Sequence, residues 1–370
     1  MYLKALYLKQ FRNYQEQKVE FSAPKTILVG NNAQGKSNLL EAVELLSTLK
    51  SHRATRDRDL ISEGTSVSQI NATIERAYGS VDLSLRLHYP GRRTVTVNQE
   101  TLKRQIDFLG LVNAVQFSSL DLELVRGAPE RRRAWIDSLL VQIEPIYAHI
   151  LQQYQIVLRQ RNALLKNLKS GQTQLDPAQL ALWDAQLATT GSRVIRRRDR
   201  ILKRLAPIAQ TWHSSIAGNS EQLTIRYAPN IIAEAEPPEK VQQAFLDKIQ
   251  QRRVAEQVHG TTLVGPHRDE IEFTINQTPA RTYGSQGQQR TLVLSLKLAE
   301  LKLIEDVVGE PPLLLLDDVL AELDLLRQNQ LIETIQDHFQ TLITTTHLGA
   351  FDAQWLTSSQ ILTVEGGKIV

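Results

Sequence analysis

The hydrophobic pattern of this chain changes period twice. Tyr2 to Leu8 is a short apolar-rich run, and Thr26-Ile27-Leu28-Val29 reads as a buried strand that stops at Gly30. From about Ser37, Leu39, Leu40, Val43, Leu46 and Leu49 recur at helical spacing. Between Ile70 and Val97 the pattern alternates, as in VDLSLRLHY and RTVTV, which predicts antiparallel strands with a turn at Asn98-Gln99-Glu100. From Pro129 to Gln257 helices dominate: WIDSLLVQI, YQIVLRQRNALLKNL and the segment from Leu182 to Ala206 carry apolar residues at i, i+3 and i+4. Linker signals fall at Lys169-Ser170-Gly171 and Glu236-Pro237-Pro238. Strand patterns return with IEFTI (271–275), then a helix from Gln286 to Ile304, then the run LLLL (313–316). The pattern predicts an α/β fold, a mixed β-sheet with flanking helices, built from residues 1–128 and 258–370 around an inserted, mainly helical domain at 129–257.

Composition narrows the class. The chain has 370 residues, 42% hydrophobic and 22% charged, as soluble globular proteins have. No stretch approaches the ~18 consecutive apolar residues of a membrane span, and MYLKALYLKQFRNY lacks the order of a signal peptide. With no cysteine, disulfides and thiolate metal sites are excluded. A cytoplasmic protein with no membrane partner is expected. The net charge is +3, unevenly placed: Arg131 to Arg204 holds fourteen Lys/Arg against five Asp/Glu, so this stretch carries +9 and the remainder −6. Such segregation points to an anionic partner for the middle segment.

Candidate chemistry begins at Gly30-Asn31-Asn32-Ala33-Gln34-Gly35-Lys36-Ser37, followed by Asn38, which fits the P-loop pattern between a predicted strand and a predicted helix. Glycines let the backbone form a nest of N–H groups, and the helix N-terminus favours the same anion. Lys36 would reach the β- and γ-phosphates of ATP and the Ser37 hydroxyl would ligate Mg²⁺. The alternative is a glycine-rich turn with a chance lysine. Leu313-Leu314-Leu315-Leu316-Asp317-Asp318 is an apolar strand delivering two carboxylates at its C-terminal edge, where open α/β sheets bind ligands. Asp317 would hold Mg²⁺, and Asp318 would orient or deprotonate the attacking water. Alone, the run is also a strand followed by a polar turn.

Gly284-Ser285-Gln286-Gly287-Gln288-Gln289-Arg290 places Ser285 where a helix N-cap should stand. Ser285, Gly287 and Gln288 also resemble the signature motif of ABC-type ATPases, in which the serine and helix N-terminus bind the γ-phosphate held by the opposite subunit. Glu322-Leu323-Asp324 follows as a D-loop would. His347, after Thr344-Thr345-Thr346, is either a γ-phosphate contact or a surface residue.

By these motifs the chain resembles the RecF family of bacterial, ABC-type and SMC-like recombination mediators. The resemblance runs nearly end to end: FRNY (11–14), GNNAQGKSNLLEA (30–42), SHR (51–53), GAPERRR (127–133), QRNALLK (160–166), LVGPHRDE (263–270), GSQGQQR (284–290) and LLLLDDVLAELD (313–324). It implies an ABC-type P-loop ATPase head with a short helical arm, ATP-driven homodimerisation and DNA binding. It also implies work with RecO and RecR in loading a RecA-type recombinase at single-strand gaps. Ala321 departs from the serine usual before the D-loop acid. Asp318 replaces the glutamate common in ABC ATPases, so slow hydrolysis is expected. Gln116 resembles the metal-facing glutamine of ABC proteins. Arg12 resembles a phosphate-contacting arginine of SMC heads, with a plain surface charge as the alternative.

On a helix of about 100° per residue, Arg193, Arg196, Arg197, Arg200, Lys203 and Arg204 share one face, with Val194, Ile195, Ile201, Leu202 and Leu205 opposite. This face is the candidate for phosphate-backbone contact with duplex DNA or a single-strand junction; the alternative is a solvated polar face. A transporter's nucleotide-binding subunit is disfavoured by the basic domain between Lys36 and Asp317, and a nuclease by the lack of a further acidic cluster. An ATP-binding switch without turnover stays open.

Overall fold

A computed structural model describes residues 1–171, 176–218, 220–232, 237–320, 323–335, 338–351 and 353–370. Glu236 of the second linker signal, Ala321 and Glu322 lie outside them. In chain order the strands are β1 (Tyr2–Phe11), β2 (Tyr14–Glu20), β3 (Lys25–Val29), β4 (Val67–Arg76), β5 (Gly79–His88), β6 (Thr94–Val97), β7 (Glu100–Thr101), β8 (Ala114–Ser118), β9 (Leu223–Ala228), β10 (Glu270–Ile275), β11 (Thr278–Pro279), β12 (Leu313–Asp317), β13 (Thr341–Thr345), β14 (Ser359–Glu365) and β15 (Lys368–Ile369). The helices are α1 (Lys36–Thr48), α2 (Glu123–Arg126), α3 (Pro129–Ile143), α4 (Ile146–Lys169), α5 (Pro177–Ile216), α6 (Pro238–His259), α7 (Ala280–Tyr283), α8 (Gln286–Val308), α9 (Leu325–Ile335) and α10 (Ala353–Thr357). Among the described residues no helix is long and apolar enough to cross a membrane.

The chain divides into two compact units, one of residues 1–122, 215–217 and 290–370, the other of 123–214 and 218–289. The first holds two sheets. The antiparallel one runs β2-β1-β4-β5-β6-β7. Its alternating strands bury one face, as Val81, Leu83, Leu85 and Leu87 of β5 do. The Asn98-Gln99 turn has positive φ at both residues, the hairpin geometry that suits strand twist, and Glu100 already belongs to β7. The second sheet runs β15-β14-β3-β13-β12-β8, with β14, β3, β13, β12 and β8 parallel. Its central strands β3, β13 and β12 are buried almost throughout because both faces are covered. Leu39, Leu40, Val43 and Leu46 of α1 join one core with Leu6 and Leu8 of β1 and Leu313 and Leu315 of β12. Each such leucine contributes roughly 1.5–3 kcal/mol by burial.

The second unit combines α2–α4, most of α5, α6, α7 and the antiparallel sheet β11-β10-β9. IEFTI, read from sequence with the C-terminal part of the head, pairs here with β9 (Ile271 opposite Tyr227, Phe273 opposite Ile225), so residues 258–289 pack with the helical unit. Helix α5 passes Pro207, where the sequence pattern stops at Ala206. Leu205, Ala209, His213 and Ile216 form one buried stripe across the proline, and their burial outweighs its lost hydrogen bond. Three arginines counted in the basic stretch are internal to this unit: Arg132 pairs with Glu270, Arg161 with Asp184 and Glu256, and Arg198 with Asp137 and Asp269. Arg198 also donates to the Pro266 carbonyl at 2.7 Å and Arg133 to that of Asp269 at 2.6 Å, so the GAPERRR and GPHRD segments brace each other.

Candidate nucleotide-binding site

The register of the parallel sheet builds the site. Asp317 of β12 lies opposite Ser118 of β8 and Thr344 of β13, and Thr345 lies opposite Val29 of β3. The residues that follow these strand ends therefore share the sheet's C-terminal edge. After β3 the chain turns through Ala33 (φ 64) and Gly35 (φ 117) into α1. A Cβ at Gly35 would stand 2.8 Å from the Asn13 side chain, so only glycine fits this left-handed position.

The N-terminus of α1 has no side-chain cap and no acid in its first turn. Its leading N–H groups and its dipole thus face the loop with no acidic side chain from the helix to meet them. Lys36, 4% exposed, folds over the loop and donates to the carbonyls of Gly30 (2.8 Å) and Asn31 (2.9 Å). This arrangement fits a phosphate chain. Ser37 Oγ donates to Asp317 Oδ1 at 2.6 Å, and Thr344 Oγ1 donates to the same oxygen at 2.8 Å. Among the described residues no group of three His, Cys, Asp or Glu could hold a metal alone. One hydroxyl with one carboxylate is the set that Mg²⁺ takes when phosphate oxygens supply the rest.

Asp318 adopts φ 54, and its N–H donates to Thr344 Oγ1 at 2.9 Å. Burial raises its carboxyl above the ordinary aspartate range; Lys36 opposes the shift and Asp317 adds to it. Asn13, Asn32, Arg53, Asp59 and Ile61 join the loop residues and Asp318 around a cavity of about 460 Å³. A larger concavity, about 600 Å³ on the antiparallel sheet, is lined by strand residues and a turn and holds no helix N-terminus among the described residues; the Tyr7 hydroxyl on it bonds Glu16, which raises its pKa.

Several parts of this site escape sequence reading. Arg12 lines the cavity, but its Nε and Nη2 hold both oxygens of fully buried Glu41, at 2.9 and 2.7 Å, and its Nη1 the Asp59 carbonyl. Two turns brace the loop. Asn13 Nδ2 donates to the Gln34 carbonyl at 2.9 Å, as does the Gly367 N–H, and the Gly366 N–H donates to Gln34 Oε1 at 2.6 Å. The only signal for these was the FRNY and Gly366-Gly367 segments themselves. Gln116 of β8 points its amide nitrogen at His52 Nε2 (3.3 Å), and His52 Nδ1 lies 2.7 Å from Glu44. Its Oε1 is buried and has no partner among the described residues. Burial opposes the charge on His52, but Glu44, Glu41 and Asp317 raise its pKa. His347 is exposed just beyond β13. Asp324 accepts the Arg327 N–H at 3.0 Å and pairs with that side chain, so it begins α9.

In the second unit Ser285 is exposed at the start of α8. Its Oγ accepts the Gln288 N–H at 3.2 Å while Gln288 Oε1 accepts the Ser285 N–H at 2.8 Å, a reciprocal capping box. Of the arm cations, Arg193, Arg200, Lys203 and Arg204 are exposed, and Arg196 and Arg197 half-buried. Glu144 holds Arg197 at 2.9 Å and Arg200 at 2.7 Å, and Asp199 holds Lys203 at 2.7 Å. The face carries more internal neutralisation than its local sequence implies.

A split parallel sheet with a P-loop, an acidic strand end and a capped signature-like helix defines an ATPase head of the ABC type. The profile of the RecF/RecN/SMC N-terminal domain family matches residues 2–367. The DNA replication and repair protein RecF of Nostoc punctiforme is 71% identical over 371 residues, covering 100% of this chain and 99% of that one, and the RecF of Trichormus variabilis is 71% identical over 369 residues, covering 100% and 98%. The solved structure of the recombination mediator protein RecF-ATP in the RecFOR pathway superposes with a TM-score of 0.92 at 31% identity, covering 100% of this chain and 97% of that one. The chain belongs to the RecF family. An Smc head bound to the C-winged helix domain of ScpA, at TM-score 0.55 and 17% identity over 100% of this chain and 97% of that one, shares the fold alone.

Proposed function

We propose that this chain is an ATP-dependent DNA-binding protein of recombinational repair and replication, a dimeric clamp closed by ATP at single-strand gaps and junctions. The observation that carries the reading is the Ser37–Asp317 bond beneath an uncapped P-loop helix, the place where a triphosphate and its cation belong. Residues 1–128 with 258–370 act as the head and 129–257 as the arm, the packing division at 289/290 notwithstanding.

The α1 N–H groups and Lys36 bind and orient the phosphates. Mg²⁺, when bound, supplies positive charge at the β- and γ-phosphate oxygens. Ser37 and Asp317 would hold it. Asp318, one residue beyond Asp317, orients the attacking water and accepts its proton. Ser285 and the α8 N-terminus of a second copy complete the site, with Asp324 and His347 at its rim. Hydrolysis, slow because an aspartate reaches less far than a glutamate, reopens the dimer. RecO and RecR are the partners that the RecFOR relatives support, with loading of a RecA-type recombinase as the outcome.

ATP turnover measured against protein concentration, with and without gapped duplex DNA, tests this. Specific activity should rise with concentration and again on DNA. Activity flat in both would overturn the clamp and leave nucleotide binding as a switch.

A further inference from the structure

Glu221 lies between α5 and β9 and joins two elements of the second unit. Its Oε1 accepts a hydrogen bond from Gln288 Nε2 at 2.9 Å, and its Oε2 lies 3.0 Å from Nε2 of His213, which is fully buried on α5. Gln288 therefore faces two ways: its nitrogen binds Glu221 and its oxygen caps Ser285. An amide has one donor end and one acceptor end, whereas a carboxylate only accepts. Glu221 thus dictates which end of Gln288 meets the Ser285 N–H. Without it only the Ser285 N–H holds the amide, and each turn of the amide, which sets NH₂ against N–H, breaks one arm of the capping box.

The cap leaves Ser285 chemically free. Its oxygen accepts from Gln288, and its own exposed O–H proton remains available to donate to an anion. We propose that Glu221 is the positioning residue for the Ser285 hydroxyl and, through His213, the tie between α5 and the helix N-terminus that meets the nucleotide of a second copy. From Arg200 to His213 along α5 is roughly 20 Å at 1.5 Å per residue. The inference rests on the reading of Ser285 as a signature serine.

The test uses the full chain with Mg²⁺ and ATP. Affinity for a fluorescent ATP analogue reads the P-loop of one chain; turnover against protein concentration reads the composite site. Glu221→Ala should keep analogue affinity within about twofold and lower turnover, or raise the half-maximal protein concentration, about tenfold. Gln288→Glu sets two carboxylates face to face and should lose as much. Combined with Glu221→Gln it exchanges donor and acceptor, and turnover should return to within about threefold of wild type. Wild-type behaviour of Glu221→Ala, or a double variant no better than Gln288→Glu alone, overturns the proposal. If Glu221→Ala does not fold, the exchanged pair decides. Ser285→Ala separates the two claims: its having no effect sinks the signature reading, whereas its loss beside an intact Glu221→Ala sinks only this one.

Discussion

Ser37 Oγ and Asp317 Oδ1 stand 2.6 Å apart although 280 residues separate them. The bond ties the first turn of α1 to the end of β12, and Thr344 holds the same oxygen from β13. Three elements thus meet on one carboxylate oxygen, and the neighbouring Asp318 is left to face the cavity.

The adjacent acids should separate on mutation. Asp317→Asn should weaken Mg²⁺-dependent nucleotide affinity. Asp318→Asn should keep that affinity and lose turnover by about 10²-fold or more. Equilibrium nucleotide binding beside steady-state phosphate release distinguishes them. Wild-type turnover in Asp318→Asn would remove the general base.

DNA affinity should report on Glu144. Six phosphate contacts give a slope of log K against log salt near −5, at about −0.9 each. Neutralising Arg196, Arg197 and Arg200 should flatten it by roughly 2 to 3. Glu144→Gln removes the acid that competes with phosphate for Arg197 and Arg200 and should tighten binding, with the slope no steeper than the six-contact value. Anisotropy titrations across salt measure both. Slopes that do not respond would take this face out of DNA binding.

Arg161 is 1% exposed and donates to Asp184, Glu256 and the Thr262 hydroxyl. Arg161→Met leaves buried Glu256 without its cation and Asp184 with Arg253 alone, and should cost on the order of 3–5 kcal/mol. Chemical denaturation reads this. A loss below about 1 kcal/mol would mean that water already reaches the network.

His267 carries a pH signature. Its Nε2 donates to the Thr262 carbonyl (3.2 Å) and its Nδ1 accepts from Tyr154 OH (2.6 Å), so the neutral ring is satisfied. Burial, with Arg268, Arg133 and Arg161 nearby, pushes its pKa down to about 4. The unfolded chain binds this proton below about pH 6.5 and the folded chain does not, so stability is lost as pH falls between those values. His267→Gln should unfold with a slope shallower by nearly one proton across that window. Equal slopes would show the ring already protonated in the fold.

What could be read from sequence is what contiguous runs encode. GNNAQGKS carries its own turn and helix start, and LLLLDD its own strand and carboxylates. The partners of Arg12, Arg197 and Gln34 could not be read, because Glu41, Glu144 and the Gly366-Gly367 turn reach them only through tertiary packing. The compact units divide at 289/290, and for a similar reason this division does not show in the sequence. IEFTI pairs with LTIRYA (223–228), and that partner inside the helical unit shows only in the folded chain.

The neighbours of β3 are β13 and β14. During synthesis, then, the strand that leads into the P-loop leaves the ribosome about 300 residues before either neighbour. At 5–20 residues per second it waits on the order of 15–60 s with both edges open. Residues 123–289 contain most of a compact unit and can fold in that interval. The segment TILV is meanwhile a bare apolar strand, the kind that chaperones shield and that pairs with copies of itself. Slow or interrupted translation after residue 290 should therefore waste this protein by aggregation from its first thirty residues, however stable the finished fold.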